Sequence, residues 1–345
     1  MPPHRDTIVV GASAGGVPAL RTLLGMLPAD LDAAVLIVMH QARNAGQLDR
    51  VLREISVLPL GFVTEAETLR PGRVYLAPPD VHMIVAGERV MTTAGPLEMR
   101  ARPAINPLFR TAAASRSGRV VAIQLTGLLD DGVAGLAAVK RCGGRVLVQD
   151  PDEAEYPEMP RCAIEAVDVD HVAPLARLAE LLPVLVAEPA PDIAVPGDIA
   201  IEARLSGPAP DGEPSRPEDV QRIGEPIACA CPDCGGPLWQ VGRGDTAVYR
   251  CHVGHSLSAR GLLGAQHEVI ERALWVAVRS LTERASTLDK LAESAERGGT
   301  RASESYRRRA AEATTHSDTV RRFLLSLHEE PSVPPDDAPE RKIGG

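Results

Sequence analysis

Seven consecutive apolar residues, Ala33-Ala34-Val35-Leu36-Ile37-Val38-Met39, stop abruptly at His40. A strand with one wet face alternates apolar with polar residues, so an unbroken run of this length belongs in a parallel sheet covered on both faces. Residues 7–10 and 119–125 read the same way, ending before Gly11-Ala12-Ser13 and at Thr126-Gly127. Between the runs, residues 17–26, 47–55, 106–117 and 132–142 carry apolar side chains at helical spacing, the last stopped by Gly143-Gly144. Residues 145–149 add a strand, and a proline-rich bend precedes a short helix at 161–166. The alternation up to about residue 187 predicts an α/β fold with a doubly wound, mostly parallel sheet. Residues 73–77, 82–86 and 89–93, punctuated by Pro71-Gly72, Pro78-Pro79 and Gly87-Glu88, predict a small antiparallel insertion.

The remainder of the 345 residues differs in character. After a first unit at 1–187, residues 188–226 are rich in proline, glycine and acids and predict a linker with one short ordered piece at 198–205. A cysteine-rich segment follows at 227–257, then two charge-rich helices at 258–329 broken at Gly298-Gly299, predicting a hairpin, and a disordered tail at 330–345. The formal net charge of −9 argues against a nucleic-acid partner, which needs a basic surface. No run reaches the ~18 apolar residues of a membrane span and the N-terminus is not a leader, so a cytoplasmic protein without membrane insertion is expected.

Gly11-Ala12-Ser13-Ala14-Gly15 fits G-x-S-x-G between a predicted strand and a predicted helix, where a sharp turn exposes the serine oxygen. A dinucleotide loop would need glycine at position 13 and an acid at the end of the second strand, where this chain has Ser13 and His40. Ligands and catalytic groups of open α/β sheets gather at the carboxyl ends of strands. Three such ends here carry Ser13, His40 and the pair Asp130-Asp131, the parts of a nucleophilic triad. The chemistry of the residues does not choose between the two aspartates.

Together with these, Arg102-Pro-Ala-Ile-Asn-Pro-Leu-Phe109, Leu125-Thr-Gly-Leu-Leu-Asp-Asp-Gly132 and Met159-Pro-Arg-Cys-Ala-Ile164 make residues 5–185 resemble the catalytic domain of the chemotaxis methylesterase CheB family. The resemblance implies removal of methyl esters from glutamates of chemoreceptors, and in some members deamidation of receptor glutamines, with no catalytic cofactor. It also implies a triad of Ser13, His40 and Asp131, with Ala14 and Leu128 positioning the substrate oxyanion through backbone N–H groups. Ala14 stands where the family often has threonine, and Leu128-Leu129 where it often has Met-Gly. The family's usual N-terminal receiver domain does not precede Ser13, so control is expected from the C-terminal region or from another protein.

Cys231-Pro-Asp-Cys234, sixteen residues, then Cys251-His252-Val-Gly-His255 has the spacing of a zinc knuckle. Cys231, Cys234, Cys251 and His255 would close a tetrahedral structural site, with Cys229 and His252 as spare candidates. Cys142 and Cys162 read as buried structural thiols. In the last helices Leu262, Leu263, Val269, Ile270, Leu274, Trp275, Val278 and Leu281 predict a packing face, and Arg307-Arg308-Arg309 a solvated one. The expected activity is therefore a serine hydrolase acting on a methylated chemoreceptor or related coiled coil, with other chemotaxis or regulatory proteins engaged through the C-terminal module. Two rival readings are a regulatory binding protein built on a retained esterase fold and a small-molecule carboxylesterase.

Overall fold

A computed structural model describes residues 3–41, 48–207, 216–298 and 302–327. It divides into two compact units, Met1–Leu263 and Gly264–Gly345.

In the first unit, β1 (Thr7–Ala12) leads through α1 (Gly16–Gly25) to β2 (Ala34–Met39), then α2 (Leu48–Arg53), β3 (Leu60–Phe62), β4 (Glu67–Thr68) and β5 (Val74–Leu76). The hairpin β6 (His82–Ala86) and β7 (Arg89–Thr93) precedes α3 (Ile105–Arg116), β8 (Val120–Gln124), α4 (Val133–Arg141), β9 (Arg145–Gln149), α5 (Glu158–Ala166), β10 (His171–Ala173) and α6 (Leu175–Ala187). Seven strands form one parallel sheet in the order β10-β9-β8-β1-β2-β5-β3. The chain leaves β1 toward β2 on one side and later returns to β8 on the other, so the strand order reverses beside β1.

The apolar runs follow from burial on both faces. Ile8, Val10, Val35 and Ile37 pack with Leu20, Leu23 and Leu52 of α1 and α2 and Leu178 and Leu182 of α6. Val9, Leu36 and Val38 face the opposite layer, with Leu108 and Phe109 of α3, Leu136 of α4 and Met159 of α5. Each fully buried Leu, Ile or Val contributes about 1.5–3 kcal/mol.

Two sequence expectations change here. The strand expected at 73–77 is not part of the antiparallel insertion: Val74–Leu76 pairs in parallel with β2 and β3, and only β4, β6 and β7 form the antiparallel sheet. At three residues it is too short to show a period that distinguishes the two. The stretch expected as a linker also holds more order, with α7 (Gly197–Ser206) and α8 (Pro217–Ile223). Ile199 of α7 is buried in the core layer formed by α3 and α4, which anchors the helix to the sheet domain. Residues 208–215 of that stretch, Gln47 of the expected second helix and the tail at 330–345 lie outside the described residues.

The cysteine segment forms a four-stranded antiparallel sheet, β11 (Gly224–Ala230), β12 (Pro237–Val241), β13 (Val248–Cys251) and β14 (Ser256–Ser258), within the first unit. Then α9 (Ala259–Arg297) runs into the second unit, where it pairs with α10 (Ala302–Leu327). Val278, Ala285 and Ala292 recur every seven residues, as do Ala310, Ser317 and Leu324, and all are buried. This is the spacing of a coiled-coil seam. Contacts of Ser317 with Val278 and Thr282, and of Arg307 with Glu296, run antiparallel. The seam differs from the expected packing face, because Leu263, Val269, Ile270 and Trp275 are exposed. No helix of the described residues is long and apolar enough to cross a membrane.

Candidate functional site

The strand reversal beside β1 puts two loops side by side, the turn after β1 and the loop after β8, and the end of β2 lies next to them. Backbone hydrogen bonds fix the three ends: Leu125 N–H donates to Gly11 O at 2.9 Å, Ser13 N–H to Thr126 O at 3.0 Å and His40 N–H to Ala12 O at 3.1 Å. Gly15, with φ of 73°, makes the left-handed turn that a side chain would strain. Gly127 lies so close to the serine that a Cβ there would sit 2.8 Å from the Ser13 Cβ.

Ser13 Oγ is 3.0 Å from His40 Nδ1, and His40 Nε2 is 2.8 Å from Asp131 Oδ2. The structure thus brings Ser13, His40 and Asp131 into one hydrogen-bonded line. Asp131 is buried, with its side chain 3% exposed, while the imidazole is 24% exposed. The carboxylate also accepts from the first backbone N–H groups of α3, Ile105 at 2.6 Å and Asn106 at 3.1 Å. These are donors that a helix start leaves unpaired, and they carry the positive end of its dipole. With Nε2–H donating to Asp131, the Nδ1 lone pair is left to accept the serine proton. The nitrogens are used in the reverse of the more familiar order, in which Nε2 faces the serine.

Asp130, which the residue chemistry alone left as an alternative, points elsewhere: its Oδ1 accepts from Ser258 Oγ at 2.8 Å. Burial, the largest influence, raises its pKa against the lowering effect of the Ser258 hydrogen bond. The loop separates the neighbouring aspartates through left-handed backbone at Leu129 (φ 64°) and Gly132 (φ 104°). A left-handed leucine costs about 1–2 kcal/mol, so the loop needs external support. Ala14 follows Ser13 in the turn after β1, and Leu128 follows Gly127, the glycine that lies against Ser13.

Sequence reasoning missed the residues that hold these loops. Thr126 Oγ1 donates to Ala14 O at 3.0 Å and accepts from Tyr156 N–H at 2.9 Å, and Gln149 Oε1 accepts from Thr126 N–H at 2.9 Å. The Ile105–Asn106 contribution is backbone, and although both lie in the Arg102–Phe109 motif, their residue types do not mark it.

In the small antiparallel sheet, ligating atoms of Cys231, Cys234, Cys251 and His255 all lie within 4.8 Å of one another. Cys234 and Cys251 sulfurs are 3.7 Å apart, and His255 Nδ1 is 3.6 Å from Cys251 Sγ and 3.9 Å from Cys231 Sγ. Tetrahedral zinc with ordinary bond lengths spans about 3.8 Å between sulfurs and about 3.6 Å between sulfur and nitrogen, so the cluster fits such an ion. Cys229 and His252 are not part of it; the His252 ring packs edge-on to Trp239 with centroids 4.2 Å apart.

The comparisons bear on the first unit. A Leptospira interrogans protein is 38% identical over 178 residues, covering 51% of this chain and 92% of that protein. A Moorella thermoacetica protein named protein-glutamate methylesterase/protein-glutamine glutaminase is 35% identical over 190 residues, 53% of this chain and 45% of that protein. The crystal structure of the Thermotoga maritima CheB methylesterase catalytic domain superposes with a TM-score of 0.51 at 29% identity, covering 52% of this chain and 98% of that one. The CheB methylesterase family model matches residues 8–182, just over half of the sequence, and the chain belongs to that family.

Proposed function

We propose that this protein hydrolyses glutamate methyl esters on chemoreceptor-type signalling proteins and deamidates receptor glutamines, with Ser13, His40 and Asp131 as the catalytic triad. The observation that carries the reading is the line from Ser13 Oγ to His40 Nδ1 at 3.0 Å and from His40 Nε2 to Asp131 Oδ2 at 2.8 Å, inside the segment the family model matches.

Ser13 Oγ attacks the ester carbonyl as His40 Nδ1 takes its proton, and Asp131 stabilises the imidazolium that forms. The N–H groups of Ala14 and Leu128 hold the oxyanion, a role each fills with backbone alone, so neither alanine nor leucine at these positions prevents it. His40 then gives the proton to departing methanol, or to ammonia when the substrate is glutamine. Water, deprotonated by the same nitrogen, attacks the acyl-enzyme and leaves glutamate and free Ser13. We assign catalysis to the sheet domain, residues 1–187, in a cytoplasmic enzyme, which its six unpaired cysteines suit.

The cluster of Cys231, Cys234, Cys251 and His255 would hold a structural zinc ion, four protein ligands leaving no position for a reacting water. Such a cross-link suits a small sheet that buries Leu238, Leu257 and Leu262 with two of the cysteines in one cluster and Trp239, Val241 and Val248 in another. Metal analysis of the purified full chain should find one zinc per chain, lost on Cys251→Ser; a folded chain without metal argues against the site. The C-terminal module is assigned to contacts with other chemotaxis or regulatory proteins.

The substrate class is tested by following methanol release from a methylated chemoreceptor signalling domain and from a small aliphatic methyl ester. A protein esterase releases methanol from the receptor at low substrate concentration. Turnover confined to the small ester supports a carboxylesterase, and no turnover of either supports a binding protein.

A further inference from the structure

The cysteine-rich sheet is fastened to the loops that hold Asp131, and the fastening is made of polar side chains in strategic places. At the end of β14, Ser258 Oγ donates to Asp130 Oδ1 at 2.8 Å and accepts from Gly261 N–H at 3.0 Å, so the hydroxyl has one orientation. Asp130 is the chain neighbour of Asp131. Two residues earlier, Ser256 O accepts from Met99 N–H at 2.7 Å and Ser256 N–H donates to Leu97 O at 3.4 Å.

A second route starts beside the ligand Cys251. Arg250, fully buried, donates through Nη2 to Glu98 Oε2 at 2.9 Å, and Glu98 in turn accepts from Arg110 Nη2 at 2.8 Å. Arg110 lies on α3, the helix whose first N–H groups hold Asp131. Both turns that β14 pins carry non-glycine residues in left-handed backbone, Met99 (φ 49°) and Arg100 (φ 59°) in one and Leu129 (φ 64°) in the other. Backbone of this kind persists only where its surroundings over-determine it. The turns that β14 contacts are thus of the kind that needs support from their surroundings.

We propose that the cysteine-rich sheet positions the triad carboxylate: Ser258, acting through Asp130, and Arg250, acting through Glu98 and Arg110, are positioning residues for Asp131. The proposal rests on the esterase reading for its kinetic consequence, while its structural part stands independently of it. Since Arg250 and Ser258 bracket Cys251 and His255, loosening the metal cluster loosens the same grip.

Ser258→Ala removes one hydroxyl and Ser258→Thr restores it. Methanol release from the methylated receptor domain should show kcat down about tenfold in Ser258→Ala with KM unchanged, and most of the rate regained in Ser258→Thr. In parallel, amide hydrogen exchange across residues 128–133 should quicken in Ser258→Ala and in chelator-treated wild type, and return to the wild-type rate in Ser258→Thr. A kcat within twofold of wild type, a loss that threonine does not rescue, or unchanged exchange at 128–133 overturns the proposal. If the wild type releases no methanol, it is the esterase reading that fails, and the exchange measurement alone still decides whether Ser258 holds the loop.

Discussion

Asp131→Asn separates the charge of the carboxylate from its shape. Asp131 Oδ2 accepts from both His40 Nε2 (2.8 Å) and Ile105 N–H (2.6 Å), whereas among the described residues Oδ1 accepts only from Asn106 N–H at 3.1 Å. An asparagine in this pocket keeps the most by placing its oxygen at the Oδ2 position, so the imidazole tautomer survives and the new NH₂ group faces the Asn106 donor. The buried mismatch costs about 1–3 kcal/mol of stability. What catalysis loses is the negative charge opposite the imidazolium, worth about 4 kcal/mol at about 4 Å and an effective dielectric of about 20. That corresponds to about a thousandfold in kcat, with KM nearly unchanged. If the amide instead turned over and forced the other tautomer, the loss would approach about 10⁴. Asp130→Asn, which keeps an oxygen for Ser258, should stay within a few-fold of wild type. The assay is steady-state methanol release alongside urea denaturation, and a kcat for Asp131→Asn within tenfold of wild type would refute the reasoning.

Glu98 gives a second prediction, in acid. Burial alone would raise its pKa, but the charges of Arg110 and Arg250 outweigh that and bring it from an ordinary 4.5 to about 2. A carboxylate with a depressed pKa stabilises the fold above its unfolded value and loses that contribution as pH falls from about 4.5 toward 2, about 3 kcal/mol in all. Denaturant midpoints should therefore fall more steeply over that range in wild type than in Glu98→Gln, which starts less stable at neutral pH; parallel curves would contradict the assignment. Burial likewise pushes the thiols of Cys142 and Cys162 up to about 11. At pH 8 about a thousandth of each is thiolate, so a thiol reagent should leave both unmodified until the chain unfolds, and rapid labelling of the native protein would count against their burial.

What could be read from the sequence was what burial on two faces writes into it. The runs ending at Ala12, Met39 and Gln124 had no polar face to interrupt them, and the residues placed at their ends are those the reversed strand order gathers. Short strands left no such mark: Leu60–Phe62, Val74–Leu76 and His171–Ala173 join the sheet through pairing with neighbours, not through a period of their own. Asp130 and Asp131 were indistinguishable because they are adjacent, and only the left-handed backbone at Leu129 and Gly132 sends them to different partners. Nothing in the sequence marks Glu98, Arg110 and Arg250 as buried, because the contacts that allow it reach up to 152 residues along the chain. In α9 the apolar residues were visible but the seam was not, since small alanines at 285 and 292 carry it with Val278 while Leu263, Val269, Ile270 and Trp275 stay exposed.

Ser13 is the proposed nucleophile, and replacing it with alanine removes only its hydrogen bond to His40 from the line, because the Ser13 N–H that ties the loops to Thr126 is backbone. Ser13→Ala should fold with an unchanged denaturation midpoint and release methanol from methylated receptor at least about a thousandfold more slowly than wild type. Methanol release by Ser13→Ala at a rate close to that of an active wild type would contradict the central claim.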